Sequence, residues 1–161
     1  MIRFAAALLI FICLAAALFL FMRGEPAHRQ ADAQVIALGH STYATHCAAC
    51  HGVNGEGQPG WQTESTPENP LAPPHDATGH TWEHADRAIF RYIKTGVLDD
   101  ICTFPAVAGG KGMPQFNHTL TDAEIKATIA YIVSRWPEQV RTMHEAINRE
   151  YNAQDNLLAE N

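Results

Sequence analysis

The segment Cys47-Ala48-Ala49-Cys50-His51 decides how this sequence is interpreted, because it places two thiols and an imidazole side by side. A disulfide framework needs several paired cysteines in a small chain, and outside the N-terminal apolar run only Cys102 is left as a partner. A structural zinc site needs four ligands at short spacing, and His80 and His84 follow about 30 residues later, outside the usual window. A thioredoxin-type redox pair belongs to a βαβ unit, and no alternating strand pattern lies nearby.

The remaining interpretation of C-x-x-C-H is covalent attachment of a haem, in which the thiols add to the two vinyl groups and the histidine binds iron. A second signal comes from Gly112-Met113-Pro114-Gln115-Phe116, whose methionine lies between glycine and proline. Such a loop can carry the backbone around a flat cofactor without helical hydrogen bonds. We therefore predict Met113 as the sixth iron ligand. The alternatives are a methionine that fills core space or a histidine ligand from the set His75, His80, His84 and His118.

Together these motifs resemble the class I c-type cytochromes, in their monohaem bacterial branch. The resemblance extends over roughly residues 34–136 and rests on the segment 39–43 with CAACHG, the GMPQF loop, and a helix from Asp122 that carries Tyr131. The stretch 73–90, PPHDATGHTWEHADRAIF, is similar to a membrane-tethered bacterial subgroup. The resemblance implies an all-α class I cytochrome c fold, with three or more core helices and long loops around one covalent haem c.

By the same resemblance, the haem site would be formed by Cys47, Cys50, His51, Met113, Pro73, Pro74 and Trp82. The two cysteines would hold the ring, and His51 and Met113 would bind the iron. A proline carbonyl, from Pro73 or Pro74, would accept the second ring hydrogen of His51 and fix its tautomer. Trp82 would donate its indole N–H to a haem propionate, or be an ordinary packed tryptophan. Wrapping a haem would also explain the long Gly- and Pro-rich loop from 52 to 79.

Three helices are predicted around this loop. The first, Val35–His46, places Gly39 and Tyr43 on one face, and Gly39 indicates a close helix crossing because it costs about 1 kcal/mol against alanine. In the family that this sequence resembles, the crossing partner is the C-terminal helix. A middle helix is predicted over His84–Thr95, ended by Gly96.

The C-terminal helix begins after Thr121, where a capping box with Glu124 and a staple between Leu120 and Ile125 are predicted. Its apolar positions follow the helical period and should face the core: 125, 129, 132, 133 and 136. The cytochrome domain is thus expected over 35–136. A helical extension over 137–161 carries an apolar stripe of Val140, Met143, Ile147 and Tyr151, which we expect to pack on the domain.

The N-terminus contains an uninterrupted apolar run, Phe4–Met22, long enough to cover most of a bilayer's hydrocarbon layer. We predict a transmembrane anchor over 1–24 and a linker over 25–34. Ala31-Asp32-Ala33 resembles a cleavage site, so a removed signal segment with a soluble periplasmic product stays open. The net charge of −6 argues against nucleic acid as a partner. Cys102 is predicted as a buried structural thiol.

With both axial positions filled, the expected function is single-electron transfer, not enzymatic catalysis. The expected partners are electron-donor and electron-acceptor proteins of a respiratory chain, met at the periplasmic face of a bacterial inner membrane. The alternatives are a haem sensor or peroxidase-like enzyme with a labile sixth ligand, and a fixed haem subunit of a larger oxidoreductase complex. A second metal site formed by His75, His80 and His84 is the less favoured interpretation, because a loop histidine is more often a surface or hydrogen-bonding residue.

Overall fold

The computed structural model describes residues 14, 26–66, 68–96 and 112–159. Within these ranges all regular structure is helical, which confirms the all-α prediction: α1 Pro26–His46, α2 Ala48–His51, a 3-10 helix Thr81–Glu83, α3 Asp86–Thr95, α4 Asp122–Ser134 and α5 Glu138–Ala159. The predicted N-terminal anchor, apart from Leu14, and Cys102 lie outside the described residues. Among the helices that are described, none has the length and apolar character needed to cross a membrane. Contacts divide the chain into two units, Met1–Gln34 and Val35–Asn161, and the second contains the candidate site.

Helix α1 begins nine residues before the predicted start, so that residues 26–34 of the expected linker are helical. Pro26 occupies the first helical position, where its missing N–H is not needed and its fixed φ suits the helix. The residues that follow include Ala, Gln and Arg, which are strong helix formers. The predicted helix start at residue 35 therefore missed the largely polar N-terminal part of α1.

The predicted close crossing of the first and last domain helices is confirmed. A Cβ built on Gly39 would lie 2.0 Å from the Ala127 carbonyl oxygen of α4. One turn further along α1, the Tyr43 ring lies 5.4 Å from the Tyr131 ring, and Tyr43 is only 2% exposed. Gly39 is therefore required by the approach of the two backbones.

Helix α4 begins with the predicted capping box: Glu124 N–H donates to Thr121 Oγ1 at 3.3 Å, and Thr121 N–H donates to Glu124 Oε2 at 2.8 Å. The hydrogen bonds that the Glu124 carboxylate accepts from the Thr121 backbone N–H and from the Thr121 hydroxyl lower the pKa of Glu124. Leu120 and Ile125 share one apolar cluster, as the staple predicted. The helix buries more than the predicted stripe, because Ala127, Thr128 and Tyr131 are buried as well. It packs against α1 on one side and against α3 on another.

Helix α3 begins at Asp86, two residues after its predicted start, and ends as predicted at Gly96, which has a φ of 68°. Its last turn holds the chain that follows Met113, because Phe116 N–H donates to the Ile93 carbonyl at 3.1 Å and Asn117 N–H donates to the Lys94 carbonyl at 3.0 Å. The position of the GMPQF loop is thus set by the end of α3.

Helix α5 packs on the domain through the 3-10 helix and α3, as expected for the extension. The prediction that Met143 packs on the domain is wrong: Met143 is 45% exposed, whereas the next residue, His144, is 1% exposed. His144 Nδ1 lies 3.0 Å from the Trp82 carbonyl oxygen and its Nε2 lies 2.8 Å from Asp86 Oδ1. His144 occupies the buried position predicted for Met143, because its ring has polar partners at this contact.

Both partners of the His144 ring are acceptors, so both ring nitrogens donate only when the ring is protonated. Burial lowers the pKa of His144, but the hydrogen bonds that its ring donates to Asp86 and to the Trp82 carbonyl, with the charges of Asp86 and Glu145, outweigh that effect. The net result is a raised pKa. The contact between α5 and the domain is therefore strongest with a protonated His144.

Candidate haem site

The CAACH segment directly follows α1, and its residues Ala48–His51 form the short helix α2. Cys47 N–H donates to the Tyr43 carbonyl at 2.9 Å, and His51 N–H donates to the Cys47 carbonyl at 2.9 Å. Within this single turn Cys47 is buried, Cys50 is exposed, and neither is in a disulfide. The chain then turns at Gly52, whose carbonyl accepts a hydrogen bond from Tyr43 Oη at 3.0 Å. The rigid end of α1 thus presents both thiols and the imidazole within one turn.

The electrostatics of Cys47 do not fit a redox dithiol. Burial, with a smaller contribution from Cys50, raises the pKa of Cys47 to about 11. In dithiol oxidoreductases the attacking thiol has a lowered pKa, because the thiolate is the nucleophile. A buried neutral thiol beside an exposed one instead suits two thiols that serve as attachment points.

His51 is 7% exposed, and its Nδ1 lies 2.8 Å from the Pro73 carbonyl oxygen. Since a carbonyl can only accept, Nδ1 carries the hydrogen and Nε2 keeps its lone pair. Burial lowers the pKa of His51, against the opposite effect of the Pro73 bond. The neutral imidazole is the form that binds a metal, and only Nε2 is available for it.

Of the two candidate prolines, Pro73 therefore makes the contact. The carbonyl of Pro74 is directed elsewhere and accepts a 3.4 Å hydrogen bond from Thr81 Oγ1. Gly57, with a φ of 69°, allows this arrangement, because a Cβ there would lie 2.6 Å from the Pro74 nitrogen. Gly57 N–H also donates to the His51 carbonyl at 2.8 Å. The loop after α2 thus folds back on the histidine at both its backbone and its ring.

A second histidine, His75, lies against His51. The two rings are stacked, with centroids 3.8 Å apart and planes 16° apart. Rings stacked face to face do not place their nitrogens on opposite sides of one metal ion, so this contact disfavours His75 as the sixth ligand. No local sequence pattern predicted the contact.

Two tryptophans donate indole hydrogen bonds to the loop that contains His75. Trp136, 2% exposed, donates its indole N–H to the His75 carbonyl at 2.7 Å. Trp82 donates its own to the Gly79 carbonyl at 3.0 Å. A contact between Trp82 and a propionate would replace that bond, and its predicted role stays a prediction.

Met113 is half-buried and packs against the apolar cluster that joins α3 and α4. The same loop reaches the CAACH side, where the Phe116 ring contacts the His46 ring at 6.2 Å. Of the remaining rival ligands, His118 is exposed, and His80 stacks on Trp61 at 5.7 Å and contacts His84 at 5.4 Å. Within the described ranges, no group of three or more His, Cys, Asp or Glu residues is arranged to hold a metal ion.

The chemistry of these side chains fits covalent haem: two thiols outside any disulfide, a neutral imidazole with a free Nε2, and a thioether on a loop. A helical domain with such a donor set defines a c-type cytochrome. The family model described as Cytochrome c matches residues 36–136. The chain therefore belongs to the cytochrome c family, as a class I c-type cytochrome with covalently attached haem c. Comparison with curated proteins and with solved structures finds no significant match.

Proposed function

We propose that this protein is a single-electron carrier in which Cys47 and Cys50 form the thioether links to one haem c and His51 and Met113 bind its iron. The observation that supports this most directly is the 2.8 Å contact between His51 Nδ1 and the Pro73 carbonyl. It leaves Nε2 as the only ring nitrogen that can bind iron. When bound, haem c supplies a couple between ferric and ferrous iron that exchanges one electron.

The chain's own residues set the conditions for that exchange. The Pro73 carbonyl accepts a hydrogen bond from Nδ1–H of His51, which would make Nε2 a stronger ligand for iron. Met113 packs against an apolar cluster, and a thioether ligand would favour the reduced state of the iron. If His51 and Met113 both bind the iron, no coordination position would be left for a substrate, which favours electron transfer over catalysis.

We propose that the carrier is tethered to the periplasmic face of a bacterial inner membrane and exchanges electrons with proteins of a respiratory chain. The support is the apolar run Phe4–Met22 and the likeness of residues 73–90 to a membrane-tethered subgroup. A tether would keep the domain at a high effective concentration near membrane-bound partners. The net charge of −6 favours partners with basic or uncharged docking surfaces.

The experiment is optical spectroscopy of the purified full-length protein, with its intact mass. An added mass of one haem, a low-spin spectrum, a sulfur-to-iron charge-transfer band in the oxidised form and no shift of the reduced spectrum with CO would support the carrier. High-spin iron that binds CO readily would replace it with the sensor or peroxidase-like function. Copurification with stoichiometric partner proteins would indicate a fixed subunit, and the mass would also decide whether the N-terminal run is removed.

A further inference from the structure

We infer that His75 is a positioning residue for the iron ligand His51: its stacked ring sets the plane in which the ligating imidazole is held. This inference rests on the proposed role of His51 as an iron ligand. The observation that supports this inference is the stacking of the two rings, whose centroids are 3.8 Å apart and whose planes differ by 16°. The attachment motif and the methionine loop do not include His75, and the family match does not assign it a role.

The Pro73 hydrogen bond alone does not fix the plane of His51. A single bond at Nδ1 holds one edge of the ring at 2.8 Å from the carbonyl oxygen, but the ring can still tilt about the line that joins those two atoms. A flat ring in contact with one face opposes that tilt. Pro73 and His75 therefore restrain different motions of the same imidazole, and both are needed for one defined orientation.

His75 can perform this role because it is itself held on several sides. Its N–H donates to the Gly55 carbonyl at 2.8 Å, and its carbonyl accepts the indole N–H of Trp136 at 2.7 Å. Its ring meets the ring of the buried Tyr43 edge-on, with centroids 5.8 Å apart. The fixed end of the α4 segment thus anchors the backbone of the loop, and the α1 helix supports the ring.

The choice of histidine at this position is costly for stability. His75 Nδ1 is buried and makes no hydrogen bond with any described residue, and an unpaired buried nitrogen is destabilising where an apolar side chain would not be. A residue that breaks a local rule in this way is expected at functional sites. A flat ring against the ligand is the gain that offsets the unpaired nitrogen.

The orientation of an axial imidazole determines how the iron d orbitals split, and the g values of the ferric state report it. The test is therefore electron paramagnetic resonance of the oxidised protein, with its reduction potential, for His75→Phe, His75→Leu and His75→Ala. His75→Phe keeps a flat ring, His75→Leu fills similar volume without one, and His75→Ala removes both. His80→Ala is the matched control, because His80 stacks on Trp61 in the same loop and not on His51.

We expect His75→Phe and His80→Ala to keep the wild-type g values. His75→Leu and His75→Ala should show a shifted and broadened largest g value and a shifted potential. The inference is overturned if His75→Leu matches wild type, because volume alone would then suffice, or if His75→Phe departs as far as His75→Ala. If His75→Ala does not retain haem, the comparison of Phe with Leu still decides. Absence of low-spin haem iron in the wild-type protein would instead refute the proposed function, so the two failures are distinct.

Discussion

The crossing of α1 and α4 allows a quantitative prediction for Gly39→Ala. The new methyl group would lie 2.0 Å from the Ala127 carbonyl oxygen, 2.5 Å from its carbonyl carbon and 2.8 Å from Tyr131 Cβ. These are backbone atoms and a Cβ, none of which can rotate away, so the helices must separate by more than an ångström. Overpacking of this kind costs about 1–3 kcal/mol, and we expect the upper end because no flexible side chain can yield.

Helix propensity acts in the opposite direction, because alanine is favoured over glycine by about 1 kcal/mol in a helix interior. The net expectation is a loss of about 2 kcal/mol in the free energy of unfolding. The assay is chemical denaturation of the haem-loaded protein, followed by circular dichroism and tryptophan fluorescence at fixed oxidation state. Coincident transitions from the two probes would justify a two-state treatment.

A control variant separates the crossing from the difference in helix propensity. Ala44→Gly tests propensity at an exposed position of α1 and should cost about 1 kcal/mol. If Gly39→Ala is as stable as wild type or more stable, the two helices do not approach as described and the reasoning fails.

Three further predictions concern α5, the start of α4 and the methionine loop. The folded-state pKa of His144 is raised, so its contribution to stability is complete below about pH 6.5 and is lost as pH rises through the folded pKa. Thermal melts should show this loss in the wild-type protein but not in His144→Phe or Asp86→Asn. Equal pH profiles of melting temperature in the three proteins would contradict the prediction. Thr121→Ala removes the capping box and should cost about 1 kcal/mol in urea denaturation, with an unchanged m value; no loss would mean that solvent replaces the cap. Met113→Ala should abolish the sulfur-to-iron charge-transfer band and allow CO to bind the reduced protein, whereas an intact band would assign the sixth ligand to another residue.

Local sequence chemistry was sufficient to predict that these helices exist, where α3 ends and where α4 begins, but it misplaced the starts of α1 and α3. The Thr121 and Glu124 capping box and the Gly96 stop depend on residues within one turn of each other, so they can be predicted without knowledge of the fold. Gly39 was predictable for a different reason, since a glycine in the middle of a helix needs an explanation and close approach is the commonest one.

Contacts between residues distant in the chain were not predictable in the same way. His144 was missed in favour of Met143, because its partners Asp86 and the Trp82 carbonyl lie about 60 residues earlier and only the fold brings them together. The sequence also left Pro73 and Pro74 as equal candidates. The choice depends on how the loop packs on itself, because Gly57 lies so close to both prolines that a Cβ would not fit, and this contact is not visible in the sequence.

The site joins the two ends of the domain through one histidine. Trp136, just after α4, holds the backbone of His75, while Tyr43 of α1 supports its ring, and the ring in turn lies against His51. Since α1 and α4 pack backbone to backbone at Gly39, a change at this crossing should alter the orientation of the His51 ring as well as lower the free energy of unfolding. Gly39→Ala should therefore shift the g values in the same direction as His75→Ala, although Gly39 belongs to no part of the haem site. A destabilised Gly39→Ala protein with wild-type g values would show that the crossing supports only the fold, and that the loop alone orients His51.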